Sequence, residues 1–412
     1  MNINLKKMLF WNSKEFFFFY FLFVLLIFDM INGFLVTNNL IATAGISSPS
    51  QIGRLLAIVI SVFFLWRVKS NLSWLFFSLY ILALEAICGL FFSLELSSVI
   101  YGFINSYKLI YLALVTVVFL KLIKTQGDLG YFLLLFKWHL YIVGGSLFFS
   151  IITGIGADTY DGGGLGTKGF FASGNSLGLY LGLSTIFLII IRRYYIGSYI
   201  KLSWLGVFFL ISSTVLVGTK TAVILAFLSL FQLFYNTKLK WVLLATFSTF
   251  CIYFLNEISE QFQNAFTVLV FRYNNAPNII YFLGSGRIDY VFDAFDVLYS
   301  QDSFFVRLIF GGGSFLSYQN PIDIEAFDTL ETDFFDVLFM YGFVGLFIYL
   351  VLFFYMMKKS FSEKKIFLIV ILLFGHSAIA GHVLFNGMSG FLISVLFIIV
   401  SKIHFLNEKS GS

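Results

Sequence analysis

The chain has 412 residues, of which 59% are hydrophobic and 11% charged, with a formal net charge of +5. A soluble domain carries about 25% charged residues, so this balance excludes an ordinary soluble globule and fits a chain surrounded by hydrocarbon. Cys88 and Cys251 both sit inside apolar runs, which argues against a disulfide framework, and neither zinc spacing nor a basic patch on a soluble fold points to nucleic acid.

A bilayer core demands about 20 apolar residues per helical span. Taken in chain order, apolar runs at 16–36, 52–66, 71–92, 98–120, 130–153, 174–191, 202–217, 219–235, 240–256, 334–357, 366–381 and 387–404 predict twelve spans. In hydrocarbon each must pair its own backbone, so each is expected to be helical. Ala42-Thr43-Ala44 after the first run looks like a cleavage site. The run is longer than a usual signal-peptide core, so an uncleaved anchor is expected.

Every second connection is basic. Lys6, Lys7, Lys14, Arg67, Lys69, Lys121, Lys124, Arg192, Arg193, Lys201, Lys238, Lys240, Lys358, Lys359, Lys364, Lys365, Lys402 and Lys409 all fall on one side of this alternation. They are most of the 26 Lys and Arg. The positive-inside bias makes that side cytoplasmic, with both termini there. The predicted fold class is therefore all-α: a polytopic transmembrane bundle of about twelve spans with one long extracytoplasmic loop. It divides into 1–256 (nine spans, with a Gly-rich outward loop at 154–173), the long outward segment 257–333, and 334–412 (three spans and a cytoplasmic tail). Within 257–333, residues 257–273 and 287–300 read as short amphipathic helices. In the second, Ile288, Val291, Phe292, Phe295, Val297 and Leu298 oppose Asp289, Asp293 and Asp296. It either lies on the membrane surface or forms a packed cap. The glycine triplets at 162–164 and 311–313 read as flexible loop, with close approach of backbone to phosphate as the other use.

Eight cations remain. Lys137 lies near the inner end of its span and is expected to snorkel. Lys108 sits within the fourth span at a depth similar to Glu85 in the third, and intramembrane charges are usually paired, which predicts a Glu85–Lys108 ion pair. Arg54, Lys168, Lys220, Arg272, Arg287 and Arg307 fall at the outward end, where the charge bias disfavours them. Together they would suit an anionic ligand such as a lipid diphosphate, held by Arg in paired hydrogen bonds or by Lys as a point charge. Alternatively, Arg272, Arg287 and Arg307 pair with the acids of their own loop. Lys220 has almost no acid near it in sequence. Glu331, Asp333 and His382 lie where the chain turns at the outward level, and each is either a general base or a hydrogen-bonded turn residue. Asn175, at the mouth of the sixth span, binds a sugar hydroxyl or caps the helix.

Two segments carry a resemblance: Gly166-Thr167-Lys168-Gly169-Phe170-Phe171-Ala172-Ser173-Gly174-Asn175-Ser176-Leu177-Gly178, and Ser212-Ser213-Thr214-Val215-Leu216-Val217-Gly218-Thr219-Lys220-Thr221-Ala222. With the long late loop they resemble the O-antigen ligase/polymerase superfamily over roughly 150–400. There a basic residue, Gly and an aromatic precede Asn-x-x-Gly, and a Ser-Arg or Thr-Arg step stands where this chain has Thr219-Lys220. Arg287 in Gly284-Ser285-Gly286-Arg287 matches the family's loop arginine. The chain departs from the family in having Lys at 168 and 220, and it lacks the ligase branch's His near the end of the long loop. The resemblance therefore implies a Wzy-type polymerase, with a ligase as the alternative within the family. It implies joining of undecaprenyl-diphosphate-linked repeat units at the outer face of the inner membrane, as in surface polysaccharide and lipopolysaccharide synthesis. No cofactor, metal ion or nucleotide sugar is implied. Lys220, Arg287, Arg272 and Lys168 would serve the diphosphate, with Asn175 on the sugar and Glu331, Asp333 or His382 as base. The expected partners are the lipid-linked glycan, membrane lipid and a chain-length regulator protein. A flippase is the rival from another class; it would place its polar groups along a midplane path, whereas these lie mostly toward one end.

Overall fold

In a computed structural model of the protein, the described residues are 13–41, 48–70, 72–159, 166–194, 201–235, 287–300, 302–316, 330, 332–381 and 383–407. Helix α1 (Ser13–Phe19) passes through a π-helical turn (Tyr20–Val24) into α2 (Leu25–Thr37). There follow α3 (Pro49–Arg67), α4 (Ser73–Phe91), α5 (Leu96–Leu122) and α6 (Gln126–Thr153). A two-strand hairpin, β1 (Ala157–Asp158) and β2 (Thr167–Gly169), leads to α7 (Gly174–Tyr194), α8 (Trp204–Leu216) and α9 (Lys220–Phe234). Next come α10 (Arg287–Tyr299), α11 (Phe304–Phe310) and α12 (Gly313–Leu316), then α13 (Asp333–Ser360), α14 (Lys364–Ala380), α15 (Gly387–Ser401) and α16 (His404–Asn407).

Seven helical runs among the described residues are long and apolar enough to cross a membrane: Lys14–Thr37, α3, α4, Val99–Leu122, α6, Gly174–Arg192 and α13. The predicted runs at 202–217, 219–235 and 387–404 are shorter apolar helices, while 240–256 and the amphipathic stretch 257–273 lie outside the described residues. The protein is thus a multi-pass helical membrane protein, with seven full-length candidate spans and further, shorter apolar helices among the described residues.

The central helix is α7, buried along nearly its whole length. It is apolar on every side (Leu177, Tyr180, Leu181, Leu183, Phe187, Leu188), which is the pattern of a helix enclosed by protein. Gly178 and Gly182 let α9 approach closely: a methyl at 178 would stand 2.7 Å from Thr219 Oγ1, and one at 182 would stand 2.5 Å from Leu225 Cβ. This is the small-residue spacing used between membrane helices.

The connections sort to two ends. At one, Lys14 Nζ donates to Asp128 at 2.6 Å, Gln126 to the Phe405 carbonyl at 3.1 Å, and Lys137 to the Lys201 carbonyl at 3.3 Å. This is the lysine-rich end, and Lys137 reaches its loop as expected. At the other end, the Thr159 hydroxyl donates to Val217 O at 2.6 Å, and Gly33 packs under Phe170. The Thr116–Ser394 hydrogen bond (2.9 Å) sets α5 and α15 in register. The start of α15 therefore lies beside Lys108, twelve residues and about 18 Å below the N-terminal tip of α5.

Candidate functional site

The two motif segments form one unit. Residues flanking the undescribed stretch 160–165 pair as β1 and β2, with Thr167 Oγ1 bonded to Ala157 O at 3.0 Å and near Ser150 Oγ of α6. Gly166, at φ +125°, abuts Val217 and Gly218, where a side chain would collide with backbone. Thr219 caps α9 by accepting from Ala222 N at 3.2 Å. Lys220 is then the first residue of α9 and is exposed, so its charge adds to the positive end of the helix dipole. Lys168 is half-buried on β2. Asn175 is exposed in the first turn of α7, while Ser176 N donates to Ser173 Oγ at 3.5 Å, so Ser173 rather than Asn175 acts as the cap. The structure thus brings Lys168, Asn175 and Lys220 to one junction.

The other anticipated residues do not all join them. Arg272, Glu331 and His382 lie outside the described residues, and Arg287 is placed only as the first residue of α10. Asp333 is fully buried at the start of α13. Its carboxylate accepts from Ser377 Oγ at 2.6 Å, Val383 N at 3.0 Å and Leu384 N at 3.2 Å. Those contacts fix the backbone on the C-terminal side of His382.

A second polar feature was only half legible. Arg54 donates to Asp29 at 2.5 Å, a largely buried pair joining α3 to α2. Gly387, the first residue of α15, presses against the Arg54 guanidinium, and a methyl there would overlap it. Arg54, Lys108, Tyr111, Asn386 and Gly387 line one small cleft. Its walls at Leu112 and Leu384 also bound an apolar cavity of about 290 Å³ between α4, α5, α13 and α15.

The predicted Glu85–Lys108 pair is not formed. Lys108 donates to Asn105 Oδ1 at 2.7 Å. Glu85 accepts a short bond from the Ser106 hydroxyl, and Ser314 N and Oγ reach it at 3.0 and 2.9 Å. Tyr341 Oη joins through Ser314 (3.2 Å) and Ser106 (3.1 Å). Hydroxyls and a backbone amide thus take the place of a cation around this buried carboxyl. Nor is the triplet 311–313 a loose loop. Gly312 N bonds Phe339 O at 3.1 Å, and side chains at 311 or 342 would strike the facing backbone. Only glycine permits this crossing of α11–α12 over the kink of α13. Arg307 is buried there, against Gly312 and 6.0 Å from the Phe92 ring centre.

Helix length, composition and burial define the class as a multi-pass helical membrane protein. Neither a known family model nor a curated protein matches the chain.

Proposed function

We propose that the protein polymerises undecaprenyl-diphosphate-linked oligosaccharide repeat units at the outer face of a bacterial cytoplasmic membrane, as a glycosyltransferase. The observation that supports this reading most is the junction at the end opposite the lysine-rich loops. Two segments distant in sequence, each resembling a superfamily motif, pack there through Gly166, Gly218 and Thr219. They bring Lys168 and Lys220 to the same place.

In the reaction, a hydroxyl of the acceptor sugar attacks the anomeric carbon of the donor. The new C–O bond forms as the bond from that carbon to the diphosphate oxygen breaks, and the lipid diphosphate leaves with the electron pair. The hydroxyl proton passes to a base, or through water to the departing phosphate. Lys220 and Lys168 stabilise the charge that develops on the leaving group, with Lys220 aided by the α9 N-terminus. Asn175 faces solvent in the same place, suited to a sugar hydroxyl. The buried Asp333 acts by positioning the 383–384 turn rather than by contacting a sugar.

The test uses purified full-length protein in detergent with lipid-linked repeat units and reads glycan length on a gel. Elongation is expected with no membrane and no nucleotide sugar. Lys220→Ala should slow it on the order of a hundredfold, and Lys168→Ala less. Absence of elongation by active, folded protein, with translocation of the same lipid in vesicles, would make the protein a transporter instead.

A further inference from the structure

The segment between α10 and α13 reaches deeper into the molecule than an extramembrane loop would. We infer that residues 304–316 form a re-entrant membrane segment, and that the outer face of α11 (Phe305, Val306, Ile309 and Phe310) contacts lipid acyl chains in the leaflet at that end. This does not rest on the polymerase reading.

Depth is read against α4. This nineteen-residue helix is a candidate span. Rising about 1.5 Å per residue it is about 28 Å long, close to a hydrocarbon core about 30 Å thick. It starts just after Arg67 and Lys69, and Phe91 at its far end lies opposite the lysine-rich loops. Arg307 packs over Phe92, just past that end, with its guanidinium 6.0 Å from the ring centre. Gly311 O lies 3.9 Å from Cys88 Sγ, about 4.5 Å in from Phe91. Ser314 N lies 3.0 Å from the Glu85 carboxylate, about 9 Å in. The chain therefore descends along α4, one helical turn after another. The Ser314 hydroxyl bonds Tyr341 Oη at 3.2 Å. Tyr341 is eight residues into α13, so α13 begins about 12 Å back toward the surface. The segment enters and returns at the same end before α13 crosses.

The chemistry of the segment fits hydrocarbon surroundings. Non-helical backbone at this depth must find its partners inside the protein. Gly311 N bonds Arg307 O at 2.7 Å, Gly312 N bonds Phe339 O at 3.1 Å, and Glu85 holds Ser314 N. The side chains of α11 are sorted in the reverse sense to a helix on a water surface. Arg307 is 5% exposed, whereas Phe305 is 74% and Phe310 54% exposed, with Val306 and Ile309 also outward. A water-facing helix would turn its arginine out and its phenylalanines in. The same apolar level continues onto the neighbouring spans. Ile87, Leu90 and Phe91 are exposed on α4, and Phe343 is exposed on α13 next to the Gly342–Ile309 contact.

Two measurements test the inference. In the first, the parent full-length protein is placed in vesicles of phosphatidylethanolamine and phosphatidylglycerol that carry a diazirine on one acyl chain. It is then photolysed, digested and mapped by mass spectrometry. Adducts are expected on 305–310 as well as on 87–91 of α4, which serves as the internal reference. In the second, nitroxides at Ile309→Cys and Phe310→Cys, each in a Cys88→Ser, Cys251→Ser background, are compared with one at the exposed Asp302→Cys. Collision is read with oxygen, which enters hydrocarbon, and with a water-soluble nickel chelate, whose polar groups are costly to take there. The oxygen-to-nickel ratio should be about tenfold higher at 309 and 310 than at 302, because a polar group excluded by 1.4 kcal/mol or more loses that factor in local concentration. Adducts on 87–91 without any on 305–310 overturn the inference. Absence from both stretches overturns it too, because the depth scale set by α4 then fails. Nickel access at 309 and 310 equal to that at 302 would put α11 in water, and exclusion of both colliders would mean that another part of the chain covers it; either result overturns the inference. Gel filtration establishes that the labelled variants are folded, and where they are not, the parent's photolabelling decides alone. Failure to elongate glycans, with the expected adducts and collisions, leaves the inference standing and removes only the polymerase reading.

Discussion

Among single residues, the buried carboxyls have the clearest consequences. Glu85 satisfies Ser106, the Ser314 amide and the Ser314 hydroxyl at once. Glu85→Ala leaves the Ser314 amide buried without its acceptor, at about 1–3 kcal/mol, and takes one partner from the Ser106 and Ser314 hydroxyls, which keep Gly102 O and Tyr341 Oη. We expect a clearly lower thermal midpoint in detergent, with Glu85→Gln intermediate because one amide oxygen still accepts. A second readout is available because the Cys88 thiol lies 3.9 Å from Gly311 O, under the same crossing. In a Cys251→Ser background, maleimide should label Cys88 faster in Glu85→Ala than in the parent; equal rates would mean that Glu85 does not hold the crossing down. Asp333→Ala should likewise destabilise by freeing Ser377, Val383 and Leu384. If Asp333 is a positioning residue, Asp333→Asn should lose stability and activity together, whereas full stability with lost elongation would restore it as a base. The sequence made both carboxyls visible as charges in apolar surroundings. It did not reveal their partners, because those are hydroxyls and amides far along the chain, and Ser314 carries no mark that separates it from any other serine. The Arg54–Asp29 pair is not legible in the sequence because Asp29, a single acid within the apolar run 16–36, does not disturb the span pattern.

At the scale of elements, apolar periodicity located the helices well and their interactions poorly. The amphipathic helix expected at 287–300 forms as α10, but it buries Val291, Ala294 and Leu298 against Leu330 and Phe339 and leaves Phe292 exposed. It is a packed cap and not a surface float, with the small Ala294 marking the contact that the bulky residues obscured. Two glycines of α7 serve packing, since Gly178 and Gly182 seat α9 on α7. The kink of α13 makes a sharp prediction. Gly342 has φ 63° and ψ −165°, a region open essentially to glycine alone at a cost of about 1–3 kcal/mol for other residues. A methyl there would also overlap the Ile309 carbonyl. Gly342→Ala should therefore reduce the folded yield and lower the thermal midpoint. Gly375→Ala in α14, where a methyl meets nothing within 4 Å, should be neutral or raise the midpoint, because alanine is the better helix former by about 0.5–1 kcal/mol. Equal effects from the two substitutions would remove the crossing of α11 and α13 as a determinant of stability.

For the whole molecule, the charge alternation and the helix packing meet in one testable statement about sidedness. Positive-inside reasoning used only the order of basic loops along the chain. The folded protein independently gathers Lys14, Asp128, Gln126, Lys137, Lys201 and Phe405 at one end, and the hairpin, the 217–219 turn and the start of α7 at the other. Lipid supplies no hydrophobic drive for helices to associate in any particular order, so this sorting reflects helix packing together with the Lys14–Asp128 ion pair and the polar contacts of that end. The two divisions agree, and the positive-inside bias is the reason to expect the end bearing Lys168 and Lys220 to face away from the cytoplasm. Single cysteines placed in a Cys88→Ser, Cys251→Ser background can check it. Ala172→Cys, exposed beside β2, should react with a membrane-impermeant maleimide on intact cells. Ser362→Cys, in the exposed turn between α13 and α14, should react only after permeabilisation. The reverse pattern would place the lysine-rich loops outside and leave the cationic junction facing nucleotide sugars rather than flipped lipid-linked glycans. Labelling of both sites on intact cells would show that the chain crosses an even number of times between them, and the alternation would have to be redrawn between α7 and α13.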